Sequence, residues 1–461
     1  MPVCALKDAL QFVRCRSVAF VAGFAAALLA TANTAWAQDI NILRDTETEE
    51  MLRSYEQPLA KAAGLDPGAV RVWLVGDNDV NAFVAEGQNM FILSGIILYV
   101  KSPNELIGVM AHETGHMKAG HLIRGEVGME KAEIPMLLSL LAGVAAMIAG
   151  AGGQAGMVLM SAGMAVAQAQ MNAFTRVQES TADQIALKLL LATHQSPMGI
   201  YNTFVRFAAE EAQGAYKIDP FAQNHPVGQE RVDDLQAVVD ASPYKDVRDS
   251  PQVTHTFEMV QAKLAGFVLP VNEALRRYPE TDTSEPARYA RTMIYLRQPQ
   301  LQKALDTVAS LVKDEPNNPY FYEVQGQIFL SMAKPDLAVP AYQKAVNLKP
   351  NGAPQLRLAL ATAEIATDRP DMSQAALSNL KIAVLTENDD VFTWYETAQA
   401  YSNLKNEPMA NLSTAESYYA AGGTKQAVMF ATRARRDLQQ GTPDWERAND
   451  IIGAAASQPQ Q

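Results

Sequence analysis

Cysteine is nearly missing from this chain. Two occur in 461 residues, Cys4 and Cys15, both inside the first fifteen positions. Once such an N-terminal stretch is removed no thiol remains, which excludes disulfides, thiolate nucleophiles and thiolate-built metal sites. Positive charge is also short: 38 Lys and Arg stand against 50 Asp and Glu, a net charge of −12. That balance gives no electrostatic case for binding nucleic acid. Charge of either sign is absent between Glu133 and Arg176. Gly150 to Gly153 split this stretch into 134–149 and 156–169, and neither half reaches the ~20 residues of a membrane span. Its Gly and Ala suit close helix packing. Three readings stand for 134–169: an apolar lid over a cleft, an in-plane hairpin making peripheral membrane contact, or plain core.

The first 37 residues read as a secretory leader. Lys7, Arg14 and Arg16 make a positive start, 17–32 is an apolar run, and Ala35-Trp36-Ala37 is an A-x-A cleavage site. No Cys stands at that site, which argues against a lipoprotein. Removing 1–37 takes away three cations and one anion, Asp8, so the charge moves from −12 to −14.

Histidine is scarce too, with 6 in the chain, yet three crowd into 106–122, L-I-G-V-M-A-H-E-T-G-H-M-K-A-G-H-L. His112, Glu113 and His116 form H-E-x-x-H. On a helix, positions i and i+4 share a face. Two imidazoles there can hold one Zn²⁺, with the intervening Glu beside it as general base. With 6 His and 50 acidic residues in 461, chance supplies such a spacing only ~0.008 times, so the motif is specific. Leu106, Ile107, Val109 and Met110 predict that the helix is buried.

A metal needs a third ligand. The extended pattern H-E-x-x-H-x-x-G-x-x-H would require Gly at 119 and His at 122, where this chain has Ala119 and Leu122. His121 is out of register and reads as a helix-end residue. The remaining source is a carboxylate from another helix. In 175–191, Arg176, Glu179 and Asp183 fall at i, i+3 and i+7 on one face, and Ser180, Thr181 and Ala182 are small enough for close approach. Glu179 is the expected ligand. Asp183 is expected to hold the second ring nitrogen of a ligand histidine, with Arg176 beside them.

H-E-x-x-H followed by E-x-x-x-D on a later helix resembles the gluzincin metallopeptidases, the group that includes the HtpX, Oma-type and CaaX prenyl proteases. The resemblance extends to Asn81-Ala82-Phe83 with the following G-Q-N-M-F-I-L-S-G-I-I, and to His225-Pro226 with Arg231. It implies a zincin-type domain, one Zn²⁺ per chain, and a small sheet whose edge lies along a substrate cleft, with Asn81, Ala82 and Phe83 at that edge. An unpaired edge takes an extended peptide as one more strand. The resemblance also makes His225-Pro226 a cleft element. His225 then either stabilises the oxyanion or occupies the open metal position, and Arg231 pairs with the site carboxylates.

Elsewhere, 45–64 reads as a helix stopped by Gly64. Val70–Val75, Asn81–Phe83 and Met90–Leu93 read as strands. From 285 the texture changes to a 34-residue repeat. With Pro319 as position 1, Tyr322, Gly326, Phe329, Ala338, Tyr342, Ala345 and Pro350 fall at 4, 8, 11, 20, 24, 27 and 32, the tetratricopeptide pattern. A weaker unit from Glu285 keeps Tyr295, Ala304 and Pro316. A degenerate one keeps Ala376 and Ala383, and one from Val391 keeps Trp394, Tyr401 and Ala410. Such arrays present a concave protein-binding face.

The expected organisation is α+β: a leader at 1–37, a mainly helical peptidase domain with a small sheet at 38–240, a connector at 241–284, an all-α tetratricopeptide superhelix at 285–453, and a disordered tail at 454–461. The tail narrows the resemblance to periplasmic, BepA-type members. That type implies a periplasmic enzyme cleaving misfolded or stalled outer-membrane proteins, with the repeats docking on the assembly machinery. The rival class is a tetratricopeptide adaptor carrying a silent peptidase fold, against which the intact His112, Glu113, His116 and Glu179 argue.

Overall fold

The computed structural model describes residues 41–85, 87–121, 175–212, 225, 228–350 and 353–456. The expected leader 1–37, the apolar 134–169 and the final residues 457–461 lie outside the described residues.

A four-stranded sheet anchors the N-terminal half. β1 (Ile42–Leu43), β2 (Arg71–Val75), β3 (Ala82–Ala85) and β4 (Asn89–Leu93) lie in the order β1-β2-β4-β3. β2 and β4 are parallel, while β1 and β3 pair antiparallel with their neighbours. Among the described residues β3 is therefore an edge strand. Leu74, Ala82, Met90 and Ile92 point to one side and are wholly or almost wholly buried, as the two-residue period of a strand demands.

Helix α1 (Thr46–Ala63) covers that face through Leu52, Tyr55 and Leu59. Asp45 caps its start by accepting from the Thr48 N–H, and Gly64, at φ 75°, ends it. Helix α2 (Ser94–Tyr99) follows the sheet. Helix α3 (Pro103–Ala119) then carries the H-E-x-x-H. It opens on Ser102, whose side chain accepts from the Glu105 N–H, with Pro103 in the first turn, and it closes on Gly120 at φ 66°. Every residue from Pro103 to His116 is buried, so α3 is a central strut rather than an amphipathic surface helix.

Two helices enclose α3: α4, across residues 175–192, and α5 (Met198–Ala212). Close approach is written into glycines. A Cβ on Gly115 would sit 2.7 Å from the Ala182 carbonyl oxygen, and one on Gly108 would sit 2.6 Å from the Ile200 nitrogen. α6 (Gln229–Ala241) packs on α5.

The stretch read as a connector is packed structure. α7 (Pro251–Val268) sends Phe257, Val260 and Leu264 into the N-terminal core and Met259 into the first core of the repeats. After α8 (Val271–Arg277) come ten helices, α9 to α18, running from Glu285–Arg297 to Pro443–Ala456. Each packs on the next. Ala304 and Ala338, both at position 20 of their repeats, are fully buried, and Gly326 lies flat against the Tyr342 ring. The last pair, Thr424–Asp437 and Pro443–Ala456, carried no aromatic signature in the sequence. Its core is Ala427, Ala431, Ala434, Ala448 and Ile451. The helix runs through 454–456, which had been expected to be disordered.

The repeats are tied to the N-terminal half by ion pairs, of which the Lys263 group is the most buried. Lys263 of α7 contacts Asp45, Glu47 (3.4 Å) and Glu323 (3.7 Å). The Tyr289 hydroxyl donates to Glu47 at 2.8 Å. Arg44 binds Glu387, and Arg71 binds Asp389 at 2.7 Å.

Candidate metal centre

α3 places His112 and His116 on one side, one turn apart, and α4 brings Glu179 and Asp183 opposite them. Gly115 is what lets α4 come so near: any larger residue would meet its backbone. Residue 225 closes the third side, and α6 contributes Arg231 from its first turn.

Four donor atoms converge. His112 Nε2 lies 3.0 Å from His116 Nε2, 3.3 Å from His225 Nδ1 and 3.3 Å from Glu179 Oε2. Glu179 is 3.4 Å from His116 Nε2 and 3.1 Å from His225 Nδ1. Ligands at about 2.0–2.1 Å from a tetrahedral ion stand about 3.3–3.4 Å from one another. The donor types and their spacing therefore fit a metal bound by three imidazoles and one carboxylate. All four residues are buried.

The groups around the donors fix their orientation. His112 Nδ1 sits 2.9 Å from Asp183 Oδ1, which aims Nε2 at the centre. Arg231 holds Asp183 with two 2.8 Å hydrogen bonds, Nε to Oδ2 and Nη2 to Oδ1. Its Nη1 lies 3.2 Å from Glu179 Oε2 and donates to the His225 carbonyl at 3.3 Å. The Arg231 guanidinium also lies over the Phe204 ring, which in turn meets His112 edge-on.

The electrostatics favour positive charge at the centre. Burial works against charge on His112, but the Asp183 and Glu179 carboxylates outweigh it and raise its pKa to about 9. Burial lowers His116 to about 3, with Glu179 opposing and the charges of His112 and His225 assisting. Glu179 would rise on burial, yet the three surrounding histidines hold it far below the usual carboxylate range. Burial pushes Glu113 up, against the pull of His225 and His112. Both Glu113 oxygens are buried with no hydrogen-bond partner among the described residues. Oε1 faces His225 Nε2 at 3.6 Å. A carboxylate so placed is poised to take a proton from a molecule at the centre.

Of the residues singled out in the sequence, His112, Glu113, His116, Glu179, Asp183, His225 and Arg231 come together here. Arg176 does not: it is exposed, in the first described turn of α4, and makes no contact with the cluster among the described residues. Its i, i+3, i+7 spacing gave the right face but a position one turn too far along the axis. Asn81 and Ala82 are buried at the start of β3, the strand against which α3 packs, and Phe83 stacks on Phe91 at 5.0 Å. His121, read as a helix-end residue, is buried with Nδ1 3.0 Å from His116 Nδ1. It lies beyond the Gly120 cap, where the left-handed turn redirects the chain, so a straight helical projection misplaced it.

Comparison with known proteins agrees with this geometry. The model of peptidase family M48 matches residues 46–239. The beta-barrel assembly-enhancing protease of Escherichia coli (strain K12) is 23% identical over 408 residues, 87% of this chain and 81% of the relative. That of Yersinia pestis is 24% identical over the same length, 87% of this chain and 82% of the relative. The mitochondrial metalloendopeptidase OMA1 of Schizosaccharomyces pombe is 28% identical over 190 residues, 41% of this chain and 52% of the relative. Motif, helix geometry and these matches converge: residues 46–239 match the peptidase family M48 model, and the chain is a metalloprotease.

Proposed function

We propose that the metal is Zn²⁺, one per chain, held by His112, His116 and Glu179. The observation that carries this is the convergence of those three donors at tetrahedral spacing beside a Glu113 with unpartnered oxygens. Zinc, when bound, supplies Lewis acidity toward the scissile carbonyl and toward water. Glu113 accepts the proton of the attacking water and returns it to the leaving amine. Asp183 keeps His112 in the tautomer that presents Nε2, and Arg231 keeps Asp183 ionised and in place. β3, an edge strand against α3, receives the substrate as an added strand, with Asn81, Ala82 and Phe83 lining its path.

His225 acts as a restraint. Its Nδ1 is a fourth donor and its Nε2 faces Glu113, so it fills the space where water and the substrate carbonyl would meet. Opening the site requires the chain at 225 to move. Chemistry and relatives together support an endopeptidase of the periplasm acting on misfolded or stalled outer-membrane proteins, the relatives being named for beta-barrel assembly. The repeats serve to dock the enzyme on partner proteins of that assembly machinery. Among the described residues no helix is long and apolar enough to cross a membrane. Metal analysis of the purified chain, coupled to degradation of casein, tests the reading: one zinc per chain and casein cleavage abolished by chelation are expected, and full activity in a zinc-free chain overturns it.

A further inference from the structure

The buried face of α3 opposite the metal carries a second carboxyl that the reaction as described does not use. Glu56 of α1 is 2% exposed and Thr114 of α3 is fully buried. Thr114 is two residues from both His112 and His116, hence about 160° around the helix from each. Glu56 therefore approaches α3 from behind and stands apart from the metal donors.

Proton accounting defines the state of this contact. Thr114 Oγ1 lies 2.7 Å from the Met110 carbonyl oxygen, 3.0 Å from Glu56 Oε1 and 3.1 Å from Glu56 Oε2. A hydroxyl has one hydrogen to give. Were Glu56 ionised, three acceptors would compete for that hydrogen, and among the described residues a buried negative charge would be left with at most one donor. With a proton on Glu56 the chain closes: the carboxyl donates to Thr114 Oγ1, and Thr114 donates to Met110.

We propose that Glu56 is a positioning residue for proteolysis: as a neutral acid it locks Thr114 onto the Met110 carbonyl and so fixes the turn of α3 that aims Glu113. The inference rests on the assignment of Glu113 as base. Burial pushes the Glu56 carboxyl up to about 8, with the Thr114 hydroxyl opposing and charge on Glu113 adding to the rise. Among the described residues, Glu113 is the charged group that acts on Glu56; Tyr55 adjoins it in sequence on the same helix and is itself influenced by Asp249. As pH climbs through that value, Glu56 ionises, takes the Thr114 hydrogen and frees the Met110 carbonyl. Activity falls on this alkaline side.

The test is the pH profile of kcat and KM for casein hydrolysis by the full mature chain, compared with Glu56→Gln and Glu56→Ala at equal metal content. The Gln amide donates to Thr114 and does not ionise, so the alkaline fall near pH 8 disappears in Glu56→Gln. Glu56→Ala lowers kcat by on the order of ten- to a hundredfold with little change in KM, and Glu56→Gln recovers most of that loss. An alkaline fall in Glu56→Gln like that of the wild type overturns the proposal, as does an Ala variant with wild-type kcat. Glu113→Gln, assayed alongside, separates the two ideas: if it remains active, the base assignment itself fails whatever the Glu56 variants do.

Discussion

Arg231 and Asp183 meet side-on through two hydrogen bonds of 2.8 Å, forty-eight residues apart in sequence, Asp183 buried behind His112 and Arg231 partly buried. The planar fork of the guanidinium matches the carboxylate, so the pair fixes direction as well as charge. Asp183→Asn keeps the shape but loses the charge that orients His112. We expect metal affinity or activity to fall about 10–100-fold, as changes behind a ligand histidine do, measured by competition with a chromophoric chelator. Wild-type affinity would remove Asp183 from the site.

Glu179→Ala is expected to strip the metal at chelator concentrations that leave His121→Ala loaded. Glu179 is 3.3 Å from His112 Nε2 and 3.4 Å from His116 Nε2, whereas His121 meets His116 at Nδ1, away from the donor cluster. Equal metal loss in the two variants would mean that the third ligand is wrongly chosen.

His225 separates two opposite roles by sign. As a fourth donor that blocks the site, its removal in His225→Ala raises basal hydrolysis of an unfolded substrate and brings self-cleavage. As an oxyanion donor, its removal lowers the rate by about 10²-fold or more. The distance of 3.1 Å from Nδ1 to Glu179 places the ring at the donor cluster, in favour of the first. A rate below wild type eliminates the block.

Gly115→Ala tests how α3 and α4 share space. The added carbon would meet a backbone oxygen at 2.7 Å, which no rotamer change relieves. We expect a stability loss of about 1–3 kcal/mol and weakened metal binding, because α4 carries Glu179. Unchanged melting and metal affinity would show that the helices are not held at this distance.

The Lys263 cluster joins the repeats to the N-terminal half. Lys263→Ala leaves Asp45, Glu47 and Glu323 without their shared cation, Glu47 buried and the other two partly so, and about 3–5 kcal/mol of stability is expected to go. Glu47 adds a pH dependence. Burial, opposed by Lys263, raises its carboxyl from 4.5 to about 6. A carboxyl raised on folding stabilises fully below its unfolded value and loses that contribution as pH rises through the folded one. Stability thus declines between about pH 4.5 and 6, and Glu47→Gln flattens the decline in a denaturation series. A decline of the same size in the variant would assign it elsewhere.

The sequence was most legible where spacing alone carries meaning. H-E-x-x-H, the carboxylate pair on α4, Gly64 as a stop and the strand alternation all follow from local periods of 3.6 or 2, and the mainly helical α+β class followed from them. What stayed hidden depends on distant partners. Nothing near Lys263 announces that three carboxylates from other helices will surround it, and α7 looked like a linker because its two apolar faces belong to two different cores. The last helix pair was invisible as a repeat because alanines, not aromatics, fill its interior. Arg176 stands exposed rather than among the converging groups, since helical phase fixes a direction around the axis but not a reach along it.

The proposed chemistry centres on Glu113. Its two oxygens are buried, without hydrogen-bond partners among the described residues, and beside the four converging donors. The deciding measurement is the rate of casein hydrolysis by purified Glu113→Gln, with metal content determined on the same sample. The amide cannot accept a proton from water. A variant that binds one metal per chain and has lost activity by about 10²–10⁴-fold is the predicted result. A metal-loaded variant that cleaves casein at the wild-type rate would contradict it.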